Sequence, residues 1–360
     1  MIFTDIRLQN FRSYEDSSFE LSDSVTIVVG PNTAGKTNLL EAVLMAAKGK
    51  SYRGTAKDLI KHNQEWARID AHTSDNELRT IKIIKADDKA TTTFEIDSKE
   101  YKRLPLSHQQ PVVLFEPNSL RLLEGSPAKR RDYLDEIISQ TTPGYSKTAS
   151  DYKRALAQRN TLLKSNRLKD IFIWDVKLSQ LGAQIIKNRL KIIEKIDNEL
   201  TETYQKIAKS KKGLKVNYMS ATSLENYGSK LLDQLEKNIE NDARTGHTGF
   251  GPHRDEIEFL IDDKLAMLSA SRGEMRTILL SIKSIELGII EEARKIKPIL
   301  LLDDVFSELD GARRKALTEL VKNHQSIITT TDADIVSKNF SQNCQIIPLS
   351  QSALQGVNSS

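Results

Sequence analysis

The chain is poor in cysteine and has no long apolar run. Its single cysteine, Cys344, excludes an internal disulfide and a cysteine metal cluster, and is expected to be a small buried hydrophobe in a reducing cytosol. Because no run of 18 apolar residues occurs, no membrane span is expected. The first seven residues alternate like a strand and lack the pattern of a signal peptide. The sequence therefore predicts a cytoplasmic protein without a membrane partner.

The composition is that of an ordinary globular protein, but the charge is unevenly distributed. The 360 residues suffice for about two domains, and the net charge is +4. Between Lys147 and Lys215, 17 Lys and Arg stand against 7 Asp and Glu, so the rest of the chain carries an excess of negative charge. This basic middle predicts a polyanion-binding arm, and a Lys-rich solvated helical surface is the alternative.

The two ends of the chain read as α/β and the middle as helical. Apolar, β-branched runs predict strands at Ser24–Gly30 and Pro298–Asp303, and residues after Asn343 show no clear pattern. Between them, apolar residues recur every three or four positions and predict a long helix over Ile173–Ala208, roughly 50 Å in length. The simplest assembly joins the two α/β thirds into one domain, with the helical third inserted.

The strongest local motif is Gly30-Pro31-Asn32-Thr33-Ala34-Gly35-Lys36-Thr37, which fits G-x-x-x-x-G-K-[ST] between a strand and a helix. Glycines let backbone N–H groups surround phosphate oxygens, and the helix N-terminus favours negative charge. Lys36 is expected to reach the β- and γ-phosphates, and the Thr37 hydroxyl to bind Mg²⁺. The motif therefore predicts nucleotide binding.

A second motif is the apolar run Ile299–Leu302 followed by Asp303 and Asp304. Carboxylates at the end of a buried parallel strand lie where ligands bind in such sheets. Asp303 is expected to hold the hydrated Mg²⁺, and Asp304 to orient or deprotonate an attacking water. An ordinary strand end is the alternative.

A third motif, Ser271-Arg272-Gly273-Glu274, precedes a predicted helix. Taken by itself it favours a helix N-cap, because Ser and Gly are common at that position.

The order of these motifs resembles that of the ABC ATPases. A phosphate loop comes first, Ser-x-Gly-Glu follows late in the chain, and L-L-L-D-D-V-F-S-E-L-D stands about thirty residues further on. In that family the serine-glycine signature contacts the γ-phosphate bound to the opposite subunit, and Ser271, Gly273 and Glu274 match it. Asp304 stands where many members carry a catalytic glutamate.

Within that class the sequence is similar to the RecF family over nearly its whole length. The matching segments are Leu8–Tyr14, where the family's arginine approaches bound nucleotide, Pro117–Asp135 and Gly249–Asp255. Thr33 departs from the family, which usually has Ala or Gly there. Thr331-Asp332 replaces the switch histidine of ABC transporters, as in RecF proteins, and suggests slow turnover.

The resemblance implies an ABC-ATPase head of α/β class with a mixed or parallel sheet, comprising residues 1–125 and 240–360, and an inserted, mostly helical domain at 126–239. It implies ATP and Mg²⁺ as cofactors, with Lys36, Asp303 and Asp304 catalytic and Thr37 and Asp303 as metal ligands. The nucleotide-binding residues so implied are Arg12, Ser13, Gly30, Pro31, Asn32, Thr33, Ala34, Gly35, Lys36, Thr37, Asn38, Ser271, Gly273 and Glu274.

The implied function is that of an ATP-dependent homodimer on duplex and gapped DNA, which helps to load recombinase together with RecO- and RecR-like partners. The candidate DNA-binding residues are Lys129, Arg130, Arg131, Lys153 and Arg154. Arg130 and Arg131 could instead be surface charges, Arg12 could merely pair with an acid, and His253 could be structural. An SMC-like head and the ATP-binding subunit of an ABC transporter are the alternatives. Missing long heptads argue against the first, and the basic insert and absent switch histidine against the second.

Overall fold

The computed structural model describes residues 2–87, 89–332, 340 and 344–350. By internal packing the chain divides into two units, Met1–Ser119 with Ile290–Ser360, and Leu120–Ile289. The strands, in chain order, are β1 (Phe3–Phe11), β2 (Tyr14–Glu20), β3 (Val25–Val29), β4 (Trp66–Thr73), β5 (Leu78–Ala86), β6 (Lys89–Ile96), β7 (Lys99–Tyr101), β8 (Val112–Phe115), β9 (Leu214–Met219), β10 (Glu256–Ile261), β11 (Lys264–Leu265), β12 (Ile299–Asp303), β13 (Ser326–Thr330) and β14 (Cys344–Pro348).

The α-helices are interspersed with several one-turn 3-10 segments. They are α1 (Lys36–Lys48), α2 (Arg121–Glu124), α3 (Pro127–Thr141), α4 (Tyr145–Lys164), α5 (Phe172–Ala208), α6 (Tyr227–Lys237), α7 (Ile239–Thr245), α8 (Ala266–Ser269), α9 (Arg272–Arg294) and α10 (Gly311–Val321). None of the helices in the described part of the chain is long and apolar enough to span a membrane.

The first unit contains a five-stranded parallel sheet and a six-stranded antiparallel sheet. The parallel sheet has the order β14-β3-β13-β12-β8, and the antiparallel sheet the order β2-β1-β4-β5-β6-β7. Helix α1 packs against strands of both sheets, so nearly all of its side chains are buried, including the carboxylate of Glu41. Its middle, Leu39–Ala47, is apolar apart from Glu41, which suits this enclosed position.

The parallel strands carry the continuous apolar runs expected of strands that are covered on both faces. In β12, Ile299 through Leu302 are at most 1% exposed, and burial ends at Asp303. Because β12 pairs with β13 and β13 with β3, all in parallel, the residues that follow β3 and β12 lie at the same edge of the sheet. This edge holds two of the three motifs identified in the sequence.

The second unit combines helices with the small antiparallel sheet β11-β10-β9. Helix α5 has 37 residues, about 55 Å at 1.5 Å per residue, which confirms the long helix predicted over Ile173–Ala208. Of the apolar residues at this spacing, Ile186, Ile193, Ile196, Leu200 and Tyr204 are buried, while Leu190 and Ile207 are half-buried. Segment 240–289 packs with this unit because β10 pairs with β9. The functional domain boundaries predicted at 125 and 240 stay a prediction.

A buried ion network ties the helices of the second unit together. The guanidinium of Arg159 in α4 is fully buried and donates to Asp175 in α5 and to Asp242 in α7. It also donates to the Thr248 hydroxyl at 3.0 Å and to the carbonyl of Leu235 at 3.3 Å. A buried charge is tolerated only when its hydrogen-bonding groups are satisfied in this way.

Replacing Arg159 by Met should therefore leave two buried carboxylates, those of Asp175 and Asp242, without their cationic partner. We expect the free energy of unfolding to fall by about 3–5 kcal/mol, measured from denaturant midpoints. The matched control is Arg154→Met in the same helix, since the Arg154 side chain is 72% exposed and pairs only at the surface with Asp151. Equal stabilities of the two variants would contradict the network's structural role.

Candidate nucleotide-binding site

The phosphate-loop motif connects β3 to α1. Gly35 immediately precedes α1 with φ +89°, a left-handed conformation that favours glycine. A Cβ at this position would lie 2.9 Å from the Tyr14 hydroxyl oxygen and 3.0 Å from Ser13 Oγ. Glycine is therefore required both for the turn and for the close approach of the β1–β2 connection.

The ammonium group of Lys36 is directed back into the loop. Nζ donates to the carbonyl oxygens of Gly30 at 2.7 Å and Pro31 at 3.0 Å. Burial lowers the pKa of Lys36, while the nearby carboxylates of Asp304 and Asp303 act in the opposite direction. The ammonium group of Lys36 is therefore held by backbone carbonyls of the loop, near the carboxylates of Asp303 and Asp304.

Thr37 and Asp303 meet at the edge of the parallel sheet. The Thr37 hydroxyl lies 3.0 Å from both carboxylate oxygens of Asp303, and the hydroxyl of Thr329 in β13 donates to Oδ1 at 2.7 Å. Two residues 266 positions apart in the chain are therefore neighbours. A hydroxyl and a carboxylate so placed suit a hydrated magnesium ion, which takes few protein oxygens.

Asp304 adopts a left-handed conformation with φ +50° directly after β12. Its N–H lies 3.1 Å from both the carbonyl and hydroxyl oxygens of Thr329. The Ser307 hydroxyl lies 2.8 Å from the Asp304 carbonyl oxygen and 3.2 Å from Oδ1. The chain therefore turns sharply here, and the carboxylate of Asp304 lines the same cleft as that of Asp303.

The cleft at this edge has a volume of about 370 Å³, within the range of small-molecule sites. All of its lining residues belong to the first unit: Asn32, Thr33, Gly35, Lys36, Thr37, Asn38, Arg53, Pro117, Asp303 and Asp304. Arg53 lies in a polar loop without a motif, so no local pattern assigns it to the cleft. Pro117 begins one of the segments that resemble the RecF family.

Two residues before β2 support the cleft in different ways. Asn38 Nδ2 donates to Ser13 Oγ at 2.8 Å, which joins α1 to the β1–β2 connection. Arg12 makes a two-pronged ion pair with the buried Glu41, at 2.8 and 2.9 Å, and donates to the Arg53 carbonyl oxygen. Arg12 thus has the acidic partner considered as its alternative, and its contact with nucleotide stays a prediction.

Thr33 has φ +77°, a left-handed conformation that is unusual for a β-branched residue. Ala34 and Gly30 on either side are enclosed; Ala34 is 1% exposed, and a Cβ on Gly30 would lie 2.5 Å from the Leu349 carbonyl oxygen. The left-handed residue Thr33 is therefore followed by a buried residue, while Pro31, Asn32 and Thr33 itself are exposed.

The signature segment lies in the second unit and caps α9. Glu274 Oε2 accepts from the N–H and the hydroxyl of Ser271, both at 2.8 Å, and the Glu274 N–H donates back to Ser271 Oγ at 3.3 Å. This is a reciprocal capping box. Ser271 is nevertheless exposed. The capping bonds therefore leave the outer face of the segment accessible.

The five candidate DNA-binding residues have different environments. Lys129, Lys153 and Arg154 are exposed. Arg130 is 7% exposed and makes two 2.7 Å bonds to Glu256, while Arg131 Nη1 donates to a backbone carbonyl oxygen. These contacts favour a structural role for Arg130, which the sequence analysis had not considered.

His253 is enclosed between α4 and the loop before β10. Nδ1 lies 2.8 Å from the Tyr152 hydroxyl and Nε2 3.1 Å from the Thr248 carbonyl oxygen. Burial lowers the pKa of His253 to about 4. The ring is therefore neutral near pH 7 and has both nitrogens engaged, which favours the structural role named as its alternative.

The parallel sheet, the loop before α1 and the acidic end of β12 define the ABC-ATPase fold class. The chain matches the family model described as RecF/RecN/SMC N terminal domain over residues 2–354. It is similar to solved structures of that class, including an Smc head bound to the C-winged helix domain of ScpA, with TM-score 0.54 and 15% identity over 94% of this chain and 92% of that one.

More specific similarity comes from whole-length relatives. The chain is 32% identical to the DNA replication and repair protein RecF of Clostridium perfringens strain SM101, covering 99% of this chain and 100% of that protein. It is 35% identical to the RecF of Clostridium botulinum strain ATCC 19397, covering 94% of each. A structure of the recombination mediator protein RecF-ATP has TM-score 0.82 and 30% identity over 92% of this chain and 93% of that one. The chain belongs to the RecF family of DNA replication and repair proteins.

Relieving the strain at Thr33 should stabilise the protein in the absence of nucleotide. Asn tolerates the left-handed region, so Thr33→Asn should raise the free energy of unfolding by about 1 kcal/mol. Thr33→Val is the matched control, since it removes the hydroxyl but keeps the β-branch. If denaturant melts place the Asn variant no higher than the Val variant, the loop is not strained at this residue.

Proposed function

We propose that this chain is an ATP-dependent DNA-binding protein of gap repair, whose active form is a dimer closed around two triphosphates. The observation that carries the proposal is the pairing of Thr37 with Asp303 beside the phosphate loop, 3.0 Å from hydroxyl to carboxylate. The similarity to the structure of the recombination mediator protein RecF-ATP supports the nucleotide and the pathway. The slow turnover expected from the sequence suits a switch.

The first unit supplies the groups that hold the triphosphate. Backbone N–H groups of the loop and of the first turn of α1 donate to phosphate oxygens. Lys36 exchanges its two carbonyl acceptors for the β- and γ-phosphates, which costs little because its bonds to Gly30 and Pro31 are replaced by charge-assisted ones. Asn32 and Asn38 complete the lining.

Thr37 and Asp303 would hold Mg²⁺, which would supply positive charge beside the bound phosphates. The carboxylate of Asp304 lies in the same cleft and accepts a proton from, or orients, the attacking water. Its fixed backbone, held by Thr329, keeps that carboxylate in position.

A second copy of the chain supplies the remaining groups. Ser271, Gly273 and the N-terminus of α9 cover the γ-phosphate of the opposite subunit, as the resemblance implies. In the single chain Ser271 and Arg272 are exposed, while Gly273 and Glu274 are half-buried. Met267 and Leu268 just before the segment are 48% and 76% exposed. In this proposal a second copy covers these two apolar side chains, as partners cover larger exposed apolar patches. The resulting dimer has two-fold symmetry.

Duplex and gapped DNA are bound by the basic second unit, mainly through phosphates. Lys129, Lys153 and Arg154 are the candidates that remain exposed. Recognition through phosphates depends strongly on salt and little on sequence. RecO- and RecR-like mediators act on the complex formed in this way. The likeness to an Smc head is at 15% identity and supports only the fold.

Replacing Ser271 by Arg should leave ATP binding intact and block ATP-dependent dimerisation, because the larger side chain obstructs the face that meets the triphosphate. Sedimentation with and without ATP measures the dimer, and a fluorescent ATP analogue measures binding. Ser223→Arg, at an exposed serine outside the signature segment, is the matched control. Lys36→Met should lose both properties. A Ser271→Arg variant that dimerises normally with ATP would leave the segment as a helix cap only.

Reversing two exposed charges in α4 should weaken binding to duplex DNA. For Lys153→Glu with Arg154→Glu, we expect the slope of log affinity against log salt to become shallower by about 2, roughly one per lost phosphate contact. Lys102→Glu with Arg103→Glu, an exposed pair in the first unit, is the control. Equal slopes for the two double variants would place the DNA contact elsewhere.

A further inference from the structure

A lysine-rich turn follows the end of α5. The basic turn comprises residues 209–213. Together with its flanks, from position 206 to 215, it contains five lysines and no acidic residue: Lys206, Lys209, Lys211, Lys212 and Lys215. All five are exposed. Its backbone is fixed, because Gln205 Nε2 donates to the carbonyl oxygens of Lys211 and Lys212, and the Gly213 N–H donates to Asp262 Oδ1 at 3.0 Å.

One lysine of the basic turn reaches the signature segment. Lys212 Nζ donates to Glu274 Oε1 at 2.6 Å, while Oε2 of the same carboxylate accepts the N–H and hydroxyl of Ser271. The hydrogen bond from Lys212 and those from Ser271 lower the pKa of Glu274 to about 2. Glu274 is therefore ionised near pH 7, and its two oxygens serve different partners.

The exposure of this ion pair argues against a role in folding stability. The Lys212 and Glu274 side chains are 45% and 23% exposed, and exposed pairs of this kind contribute little to stability because water and salt screen them. The position of Lys212 and Glu274 beside Ser271 points instead to a role at the signature segment. The carboxylate is bonded directly to Ser271, the residue that has to approach several negative charges on a triphosphate.

We propose that Lys212 is a positioning residue of the dimeric site, which neutralises Glu274 so that the signature segment can dock on the triphosphate held by a second copy. This inference rests on the proposed function. Without Lys212, an uncompensated carboxylate next to Ser271 repels the phosphates, since like charges brought together at an interface oppose association. With it, the segment presents a capped serine and no net charge from this pair.

A charge-removal cycle tests the inference in the full-length protein. Lys212→Gln should weaken ATP-dependent dimerisation by about tenfold in the dimer dissociation constant, which corresponds to ~1.4 kcal/mol. Adding Glu274→Gln to that variant should restore dimerisation, because the amide oxygen still accepts from Ser271 but carries no charge. Lys211→Gln removes one charge from the same turn and should behave like wild type. Sedimentation with ATP gives the constants.

The salt dependence of dimerisation and the Ser271→Arg variant distinguish the possible results. The loss in Lys212→Gln should shrink as salt rises from about 0.1 M to 1 M, where the screening length is about 3 Å. A loss that is independent of salt, a double variant as weak as Lys212→Gln, or equal constants for Lys212→Gln and Lys211→Gln would each overturn the inference. If Ser271→Arg blocks dimerisation in the same assay while Lys212→Gln does not weaken it, the inference alone fails. If Ser271→Arg dimerises normally, the proposed function fails.

Discussion

The contact between Thr37 and Asp303 depends on a single feature of topology, the position of β13 between β3 and β12. The parallel pairing of these strands places their carboxyl ends at one edge. The burial of β12 and β13 stabilises the sheet, because their apolar side chains are removed from water. The long insertion between the two motifs therefore leaves their meeting point unchanged, and the other groups of the cleft are arranged around it.

Those parts of the site that are encoded locally were predictable. The apolar runs of β3 and β12, the glycines of the loop and the helix at Lys36 each follow from a short window of sequence, and they are found where expected. Parallel strands then bring Asp303 to the loop by a general rule of α/β sheets. The cap formed by Ser271 and Glu274 was likewise readable, because a capping box spans only four residues.

Contacts between residues distant in sequence were not predictable. The partner of Arg130 is Glu256, 126 positions away, and that of Arg12 is Glu41, which lies inside an otherwise apolar helix. The sequence of strand β14 contains only a short apolar pair, Ile346 and Ile347, yet the strand pairs along the whole of β3. No local pattern distinguishes a charge that closes an internal ion pair from one that meets a ligand.

The two proposed halves of the nucleotide site differ in how firmly they are held. In the cleft, Thr33 and Asp304 keep left-handed backbones, with φ +77° and +50°, although neither is glycine. Such conformations persist only where the surroundings over-determine them, here a packed sheet and the bonds from Asp304 to Thr329. The signature, by contrast, is organised by an exposed cap and one exposed ion pair to Lys212. A firmly held receptor and an exposed cover suit the proposed dimer, because the cover stays accessible to a second copy until ATP is bound.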